Sequence, residues 1–465
     1  MRTKIYLITL LICVILTPLA AQQTAQSQSF SLKQAVEYGL ANHNSIRSAR
    51  MEIPYAEAEI KEYKAIGMPK LEGNINYQHF LELPVSFLPD FLTPAVENTL
   101  LNYDLITEDQ LTPSNGGLFP ARFGTTNSLS ASLNFSTLIF DGAYFVGLKA
   151  IKGLREMKQL QIGIPEQEVA YNIRKAYLAV LVTREGTALV NKNITNLEKL
   201  LAETREIYKN GFAELLDVDR LELSLTNLQT EREVLQRQEQ MAIALLKFQM
   251  QYPISQPLEL TDKIADITME VADPALSGTY LLDNRVEFQV LQKASLLSQL
   301  NIDRFRKSYF PSVIGIASYS QALQRNKLFN SDEAGFNGTS LVGVQVNVPI
   351  FDGFDRRSKI QKATIERDKI GLQIKDFEQV MAFQVESARI AYRNASDRLA
   401  ARQKTVDQAE RIFNTTQTKW REGVGSSFEV TNAEREVYTA QANFLNAWYD
   451  LANAKVDLEK ALGVK

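Results

Sequence analysis

Few side chains in this sequence could carry out covalent or metal chemistry. His43 and His79 are its only histidines, and their separation fits no metal-ligand spacing such as the paired histidines of a zinc-binding helix. Neither histidine belongs to a nucleophile-base set of the kind that an exported hydrolase would need. We therefore expect structural or solvated histidines, no cofactor, no metal and no enzyme activity.

The first residues predict export from the cytoplasm. Arg2 and Lys4 precede an apolar run over residues 5–16, and small residues follow, which is typical of a secretory signal peptide over residues 1–21. The only cysteine, Cys13, lies within that run and lacks the small preceding residue of a lipoprotein box. Beyond the signal, no apolar stretch approaches the roughly 20 residues of a membrane-spanning helix. A net charge of -3 gives no basic excess for nucleic-acid binding.

The chain contains an internal repeat. Residues 139–142 (Ile-Phe-Asp-Gly) recur as 350–353, and the turn at 208–211 recurs as 420–423. Each half is predicted to run helix, strand, strand, very long helix, turn and helix. This predicts three parts after the signal, namely a first repeat over 22–251, an inter-repeat linker over 252–275 and a second repeat over 276–465.

Four segments have the alternation of half-buried strands. Apolar and polar residues alternate over 71–77, 128–140 and 342–350, as the period of two in a strand requires. The segment 313–319 alternates poorly because Ile314 and Ile316 fall on its nominally polar face. An ordinary antiparallel sheet with one wet face would give the same pattern.

The residues at the joints suit a change of element. Pro69 and Pro311 stand where a helix should pass into a strand, since proline cannot continue the helical hydrogen-bond ladder. Asp141 and Asp352 stand where a strand should pass into a helix, and each offers a carboxylate to unpaired amides. Pro349 is expected among the last residues of the fourth strand.

The helical segments are too long for a compact domain. About 65 residues pass with few breakers between 142 and 208, and again between 353 and 420, enough for about 100 Å of unbroken helix. Their apolar residues step by threes and fours as in coiled coils, so a periplasmic coiled-coil scaffold would also fit. Gly211 and Gly423 interrupt these segments and predict tight helix-turn-helix reversals.

The strand count constrains the assembly. Strands in lipid must form a closed barrel, because the hydrocarbon core satisfies no open edge. Four strands cannot close a barrel, so several copies must share one, and three copies would supply twelve strands.

The duplicated layout, the Phe-Asp-Gly joints and the helices that follow the glycine turns resemble the TolC family of outer membrane efflux proteins over residues 30–462. The resemblance implies an α+β membrane protein, a homotrimer whose twelve-stranded outer-membrane β-barrel continues into a long periplasmic α-helical barrel. It implies an exit duct in contact with outer-membrane lipid, a periplasmic adaptor and an inner-membrane transporter. The alternative is a periplasmic coiled-coil adaptor or scaffold, which leaves the four strands without a closed partner.

The resemblance also implies functional residues at the turns. Aligned on Gly423, Glu429 takes the first position of an acidic ring at the periplasmic mouth, and Asn432 stands where a second acid would lie. Asp217 and Trp420 fall at positions linked across the closed mouth, although a glycine replaces their basic partner. The residues implied to contact the adaptor are Gly211, Phe212, Gly423, Val424 and Gly425.

The first repeat carries an insertion over residues 81–127. It is about 30 residues longer than its counterpart in the second repeat and well beyond ordinary loop lengths. Because external loops are the long ones in such barrels, we expect an ordered, outward-facing cap.

Overall fold

The computed structural model describes residues 28–89, 92–111, 118–267, 282–327, 329 and 335–463. The predicted signal peptide over 1–21 lies outside these residues, and so does the predicted linker beyond residue 267. The strands are β1 (Gln28–Phe30), β2 (Lys70–His79), β3 (Val85–Pro89), β4 (Leu118–Arg122), β5 (Asn127–Phe140), β6 (Leu258–Leu260), β7 (Ser312–Arg325) and β8 (Asn337–Asn347). The helices are α1 (Leu32–Asn42), α2 (Asn44–Ile66), α3 (Leu92–Asn102), α4 (Gly142–Gln161), α5 (Gly163–Lys209), α6 (Leu215–Met250), α7 (Val286–Lys307), α8 (Asp355–Arg421) and α9 (Ser427–Leu462).

The described chain divides into two compact units, and each unit draws on both halves of the sequence. One unit, here called the helical unit, contains the residues up to 56, 154–296 and those from 367 onward. The other, here called the sheet unit, contains residues 57–153 and 297–366.

The sheet unit is built on a four-stranded antiparallel sheet in the order β2-β5-β7-β8. The register aligns one apolar face, because Tyr77 lies opposite Leu129, and Leu133 lies opposite Tyr319. The other face is polar over β2 and β5, where Asn74 lies opposite Ser132 and further asparagines and serines follow. The predicted alternation is therefore present in the sheet.

One detail of the strands differs from the sequence prediction, and another agrees with it. Strand β8 ends at Asn347, so Pro349 lies beyond the strand and not within its last residues. Proline has no N–H to give to the ladder, which accounts for the earlier end. Ile314 and Ile316 do lie on the polar face, near the end of β7 that follows α7.

The joints follow the sequence prediction. Pro69 lies between α2 and β2, and Pro311 between α7 and β7. Asp141 caps α4, since its Oδ1 accepts from the Tyr144 N–H at 2.8 Å. Asp352 does the same before α8, where its Oδ2 accepts from the Arg356 N–H at 3.1 Å.

The described part of the insertion over 81–127 has secondary structure of its own. Strands β3 and β4 pair antiparallel, with Val85 opposite Arg122 and Pro89 opposite Leu118. Helix α3 and a short 3-10 turn at Glu108–Gln110 lie between these strands in the chain. The insertion is thus ordered in its described segments.

The helical unit is held together by the predicted coiled-coil seams. On α5 the seam residues that are buried are Val169, Ile173, Ala176, Val180, Thr187, Val190, Ile194, Leu197, Leu201 and Thr204. On α9 small and large side chains alternate along the buried seam, for example Ala433 followed by Val437 and Ala440. These seams bring α8 against α9 and bring α5 against α6.

One predicted helix is interrupted. The segment between 142 and 208, predicted as a very long helix with few breakers, is divided at Ile162 into α4 and α5. Pro165 explains the break, because it has no N–H to donate to the carbonyl four residues earlier and its ring crowds that carbonyl. The corresponding helix of the second half, α8, runs without interruption for 67 residues.

An aromatic cluster anchors the start of the described chain within the helical unit. The rings of Phe30, Tyr38 and Tyr252 contact one another edge to face, with centroids 5.5–5.8 Å apart. The Tyr177 hydroxyl donates to the Phe30 carbonyl at 2.9 Å. Strand β1 also pairs in parallel with β6, which follows α6. The segment before α1 is therefore held to α5 through Tyr177, and to the chain that follows α6 through Tyr252 and β6.

Candidate functional site at the helical turns

The two reversals of the helical unit have the same backbone hydrogen bonds. After α5, the Gly211 N–H donates to Tyr208 and the Phe212 N–H donates to Ile207. After α8, the Gly423 N–H donates to Trp420 and the Val424 N–H donates to Lys419. The glycines have φ angles of 80° and 75°, which an L side chain rarely adopts. These are glycine-terminated helix ends of one type, as the sequence predicted.

Gly425 has a different reason to be glycine. A Cβ atom at this position would lie 3.0 Å from the Trp420 backbone nitrogen and 3.2 Å from the Cβ of Lys419. The chain after the turn therefore passes close to the end of α8. A side chain at position 425 would crowd the end of α8.

The side chains at the two turns expose apolar surface. Phe212 is 85% exposed and Val424 is 77% exposed. Phe428 is half exposed, and the Arg220 guanidinium lies over its ring at 5.2 Å. Exposed aromatic and aliphatic groups at two matched turns form a surface suited to a protein partner.

Asp217 links the hairpin of α5 and α6 to the hairpin of α8 and α9. Its partner is Ser427, which was not among the candidate residues of the sequence analysis. Its carboxylate accepts from the Ser427 hydroxyl and also from the Glu214 N–H, at 3.2 Å in the latter case. Arg220 approaches the same carboxylate at 3.9 Å. Asp217 thus joins the start of α6 to the start of α9.

Trp420 contributes packing near the turn. It lies against an apolar cluster whose buried members are Leu197, Leu200, Leu201, Val218, Leu221 and Val430. Next to it, Arg421 donates to both carboxylate oxygens of Glu203 at 3.2 Å. This pair is exposed and adds little stability, but it connects α8 to α5.

Glu429 and Asn432 lie on one side of α9, one turn apart. Glu429 is exposed in the first turn of the helix, where a carboxylate is favoured by the helix dipole. Asn432 is half-buried, and its Oδ1 accepts from Arg435 Nη2 at 2.8 Å. This side of α9 therefore carries an acid, an amide and a cation in successive turns, at Glu429, Asn432 and Arg435. Arg435 was not a candidate in the sequence analysis.

A second carboxyl on α9 has a more unusual environment. Glu434 and Tyr438 line a cavity of about 180 Å³ between α5, α6 and α9, together with Asn193, Ser224 and Asn227. Burial raises the pKa of the Glu434 carboxyl to about 7. The Tyr438 hydroxyl is buried with no hydrogen-bond partner among the described residues, and burial raises its pKa to about 12. Neither residue was a sequence-level candidate.

Metal sites and membrane-spanning helices are not found in the part of the chain that the structure describes. No grouping of three or more histidine, cysteine, aspartate or glutamate side chains there could hold a metal ion. Among the same residues, no helix combines the length and the apolar character needed to cross a bilayer. His43 bonds Ser45 at 2.8 Å, and His79 bonds Asn127 at 2.8 Å, so both histidines have local polar partners.

Comparisons with known proteins identify the class. The family model for outer membrane efflux proteins matches residues 280–464. The solvent efflux pump outer membrane protein SrpC of Pseudomonas putida is 23% identical over 439 residues, which cover 93% of this chain and 85% of SrpC. The outer membrane protein TolC of Vibrio cholerae is 22% identical over 353 residues, which cover 72% of this chain and 76% of that protein.

A solved structure shows the same fold. The structure of CusC has a TM-score of 0.70 with this chain, at 16% identity, over 93% of this chain and 92% of CusC, which shows a shared fold. The second half of the chain therefore matches the outer membrane efflux protein family, and similarity to outer membrane efflux proteins extends over most of its length. The resemblance stated from the sequence is therefore confirmed.

Proposed function

We propose that three copies of this chain form an exit duct of the outer membrane, through which solutes leave after delivery by an inner-membrane transporter and a periplasmic adaptor. The main support is the four-stranded sheet, whose apolar face is exposed. Ile75 is 81% exposed in the middle of β2, and Val342, Val344 and Val346 are exposed along β8. Such a face suits contact with lipid better than contact with water.

The sheet edges support a shared barrel. Within the described residues, β2 pairs only with β5, and β8 pairs only with β7, so each outer strand has a free edge. The four strands alternate in direction, so β2 of one copy would lie antiparallel to β8 of the next. Copies can therefore join edge to edge in one continuous antiparallel ring, and three copies give twelve strands.

The helices also have surfaces that suit neighbouring copies. On α6, Leu246 and Met250 are buried within the protomer, whereas Met241, Leu245 and Phe248 are exposed. A helix with apolar residues on two sides packs against neighbours on both sides. On α8, the exposed apolar residues Leu372, Phe383 and Ile390 recur at spacings close to whole helical turns. A second copy of the chain is the proposed occupant of these faces.

Membrane fractionation tests this function. The chain expressed with its signal should be recovered in the outer-membrane fraction as a trimer that migrates slowly without heating and as a monomer after boiling. The periplasmic scaffold alternative predicts a soluble chain instead. Recovery of a soluble periplasmic monomer would therefore overturn the proposed duct and favour the scaffold.

We further propose that the two turns form the periplasmic mouth and contact the adaptor. The contact residues would be Gly211, Phe212, Gly423, Val424 and Gly425, of which Phe212 and Val424 provide exposed apolar side chains. Asp217 and Trp420 would hold the turns together in one protomer, the first through Ser427 and the second through the apolar cluster around Leu197.

At this mouth, Glu429 is the proposed selectivity residue, with Asn432 in the next turn. Three exposed carboxylates around one axis would concentrate negative potential in a narrow pore and favour cations. Asn432 adds no charge, and Arg435 is bonded to it, so the ring is only weakly acidic beyond Glu429.

Replacing Glu429 by alanine should therefore reduce cation selectivity. We expect the preference for K⁺ over Cl⁻, and the sensitivity to block by trivalent cations, to fall by about 3-fold or more, because three charges leave the pore. Single-channel recording in planar bilayers measures both quantities. Glu436→Ala on the same helix, also exposed, is the charge-matched control. Unchanged ion selectivity and unchanged cation block in Glu429→Ala would contradict the proposed role of Glu429 in the pore.

A further inference from the structure

A second charged cavity lies in the sheet unit, where the strands join the helices. It has a volume of about 610 Å³ and is lined by segments of α2, α4, α7 and α8 and by the adjoining ends of the strands. Its cationic side chains are Lys70, Arg304, Arg356 and Lys359. Its only carboxylates among the described lining residues are Asp141 and Asp355. The cavity therefore carries an excess of positive charge.

The carboxylates in and next to the cavity are already engaged. Asp141 accepts from the Tyr144 N–H at 2.8 Å, and Asp355 accepts from Lys359 Nζ at 2.7 Å. Arg356 lies 3.5 Å from Asp352, which is outside the lining. Three of the cavity's charges are thus matched by nearby opposite charges.

Arg304 and Lys70 have different surroundings. The Arg304 guanidinium lies over the Phe305 ring at 4.9 Å and lies near the Tyr63 hydroxyl. These partners are neutral, so the positive charge that the Asp355 and Asp352 pairs leave over lies on Arg304 and Lys70, and Asp141 is the one lining carboxylate that opposes it. Lys70, the exposed first residue of β2, adds to the same cavity a second positive charge that no ion pair among the described residues balances. Together, Arg304 and Lys70 form a positively charged region in which an anion could bind.

The cavity also has a flat aromatic wall. The rings of Tyr63 and Tyr144 are stacked, with centroids 5.7 Å apart and planes inclined by 3°. An aromatic group can lie against such a surface, while an attached anionic group reaches a guanidinium. The lining thus combines the two elements that recognise an aromatic acid.

The strand register shows which face of the sheet the cavity shares. Lys70 lies opposite Ser136, and Leu138 lies opposite Ile314. By the alternation of strands, Lys70 and Ser136 share a face with Asn74 and Ser132, which is the polar face. The cavity therefore opens on the side opposite to the exposed valines and isoleucine.

We propose that this cavity is a binding site for aromatic organic anions, such as sulfonates or carboxylates, and that it faces the lumen of the duct. The luminal placement rests on the proposed function, in which the apolar face contacts lipid. Three copies would form a positively charged ring at the base of the strands. Arg304 and Lys70 bind the anionic group, and Tyr63 with Tyr144 contacts the ring.

Calorimetry on the purified full-length chain in detergent tests the site, with 1-naphthalenesulfonate as the probe and 1-naphthylmethylammonium as its cationic counterpart. We expect the sulfonate to bind more tightly than the ammonium and to lose affinity as salt increases. Arg304→Gln and Lys70→Gln should each weaken sulfonate binding by about 10-fold, since each removes one charge-assisted contact.

The controls separate binding from folding and from function. Lys362→Gln, on the exposed surface of α8 and outside the cavity lining, should leave binding unchanged. Lys70 is exposed, so its replacement leaves the fold intact even where Arg304→Gln does not. Equal binding of both probes, or unchanged affinity in Lys70→Gln, would overturn the site.

Two further outcomes are distinguishable. Displacement of the sulfonate by phosphatidylglycerol in the micelles, with no effect of phosphatidylcholine, would assign the cavity to lipid headgroups and overturn the luminal placement. Because the assay needs no pore, absent binding in a chain that conducts in bilayers contradicts this site alone. Selective binding in a chain that forms no trimer contradicts the duct and its lumen while leaving the anion site standing.

Discussion

Ile75→Arg is expected to abolish the accumulation of trimer in the outer membrane. Ile75 lies in the middle of β2 on the exposed apolar face, opposite Ala131 of β5. An arginine on the lipid side of a barrel strand costs about 2–4 kcal/mol near the bilayer midplane, and every copy in the ring would carry one. Quantification of heat-modifiable trimer in outer-membrane fractions measures the loss.

The neighbouring residue supplies a matched control. Asn74→Arg changes an exposed residue of the same strand to the same cation, but on the polar face. In a duct this side chain points into water, so trimer should accumulate as in the unmodified chain. In a water-soluble sheet, both exposed positions would accept arginine equally. Equal recovery of the two variants would therefore contradict lipid contact at the apolar face.

Glu434→Gln should remove a large part of the pH dependence of packing between α5, α6 and α9. The folded pKa of about 7 lies above the ordinary value of 4.5. The folded state then binds a proton more tightly than the unfolded state, so stability falls as pH rises through this window and stays low above pH 7. The shift corresponds to at most about 3 kcal/mol per protomer. Glutamine imitates the neutral carboxyl and should keep the low-pH stability at pH 8.

Hydrogen exchange of these helices checks the prediction. Between pH 5.5 and 8, after correction for intrinsic chemistry, protection around Glu434 should fall by up to about 30-fold in the unmodified chain and much less in Glu434→Gln. The charged or titratable groups nearby are Arg435 and Tyr438 on α9 and Glu231 on α6, while α5 contributes Asn193 and Leu197. Glu436→Gln, an exposed change of the same charge on α9, should behave like the unmodified chain. Identical pH dependence in both variants would rule out Glu434 as the source.

Much of the fold could be predicted because it is encoded in local periodicity. The strand alternation around Leu133 reflects one continuous apolar face of the sheet, and the seam of Ile173 and Leu197 reflects burial of one face of a helix. The joints at Asp141 and Asp352 were also predictable, since a helix start needs an acceptor nearby. The division at Ile162 follows from Pro165 and not from the periodicity of the apolar residues.

The site was less accessible to sequence reasoning. The turns at Gly211 and Gly423 were found because positive φ angles require a special residue. The bond from Ser427 to Asp217 was missed because it joins residues 210 positions apart, whose approach depends on how two hairpins pack. Glu434 directly follows the seam residue Ala433 on α9, and periodicity alone does not indicate that neighbours on two sides bury it.

The free edges of the sheet have a consequence for copy number. Because β2 and β8 are different surfaces, an interface between them is heterologous, and such an interface closes only if the rotation from copy to copy divides a full circle. Edge chemistry alone would equally permit a different ring or an open-ended filament. In the proposed assembly, the rotation would be set by sheet curvature and by the packing of helices such as α6 and α8 against the next copy. Changes confined to those helical faces could therefore alter how many subunits complete the ring while every strand keeps its sequence.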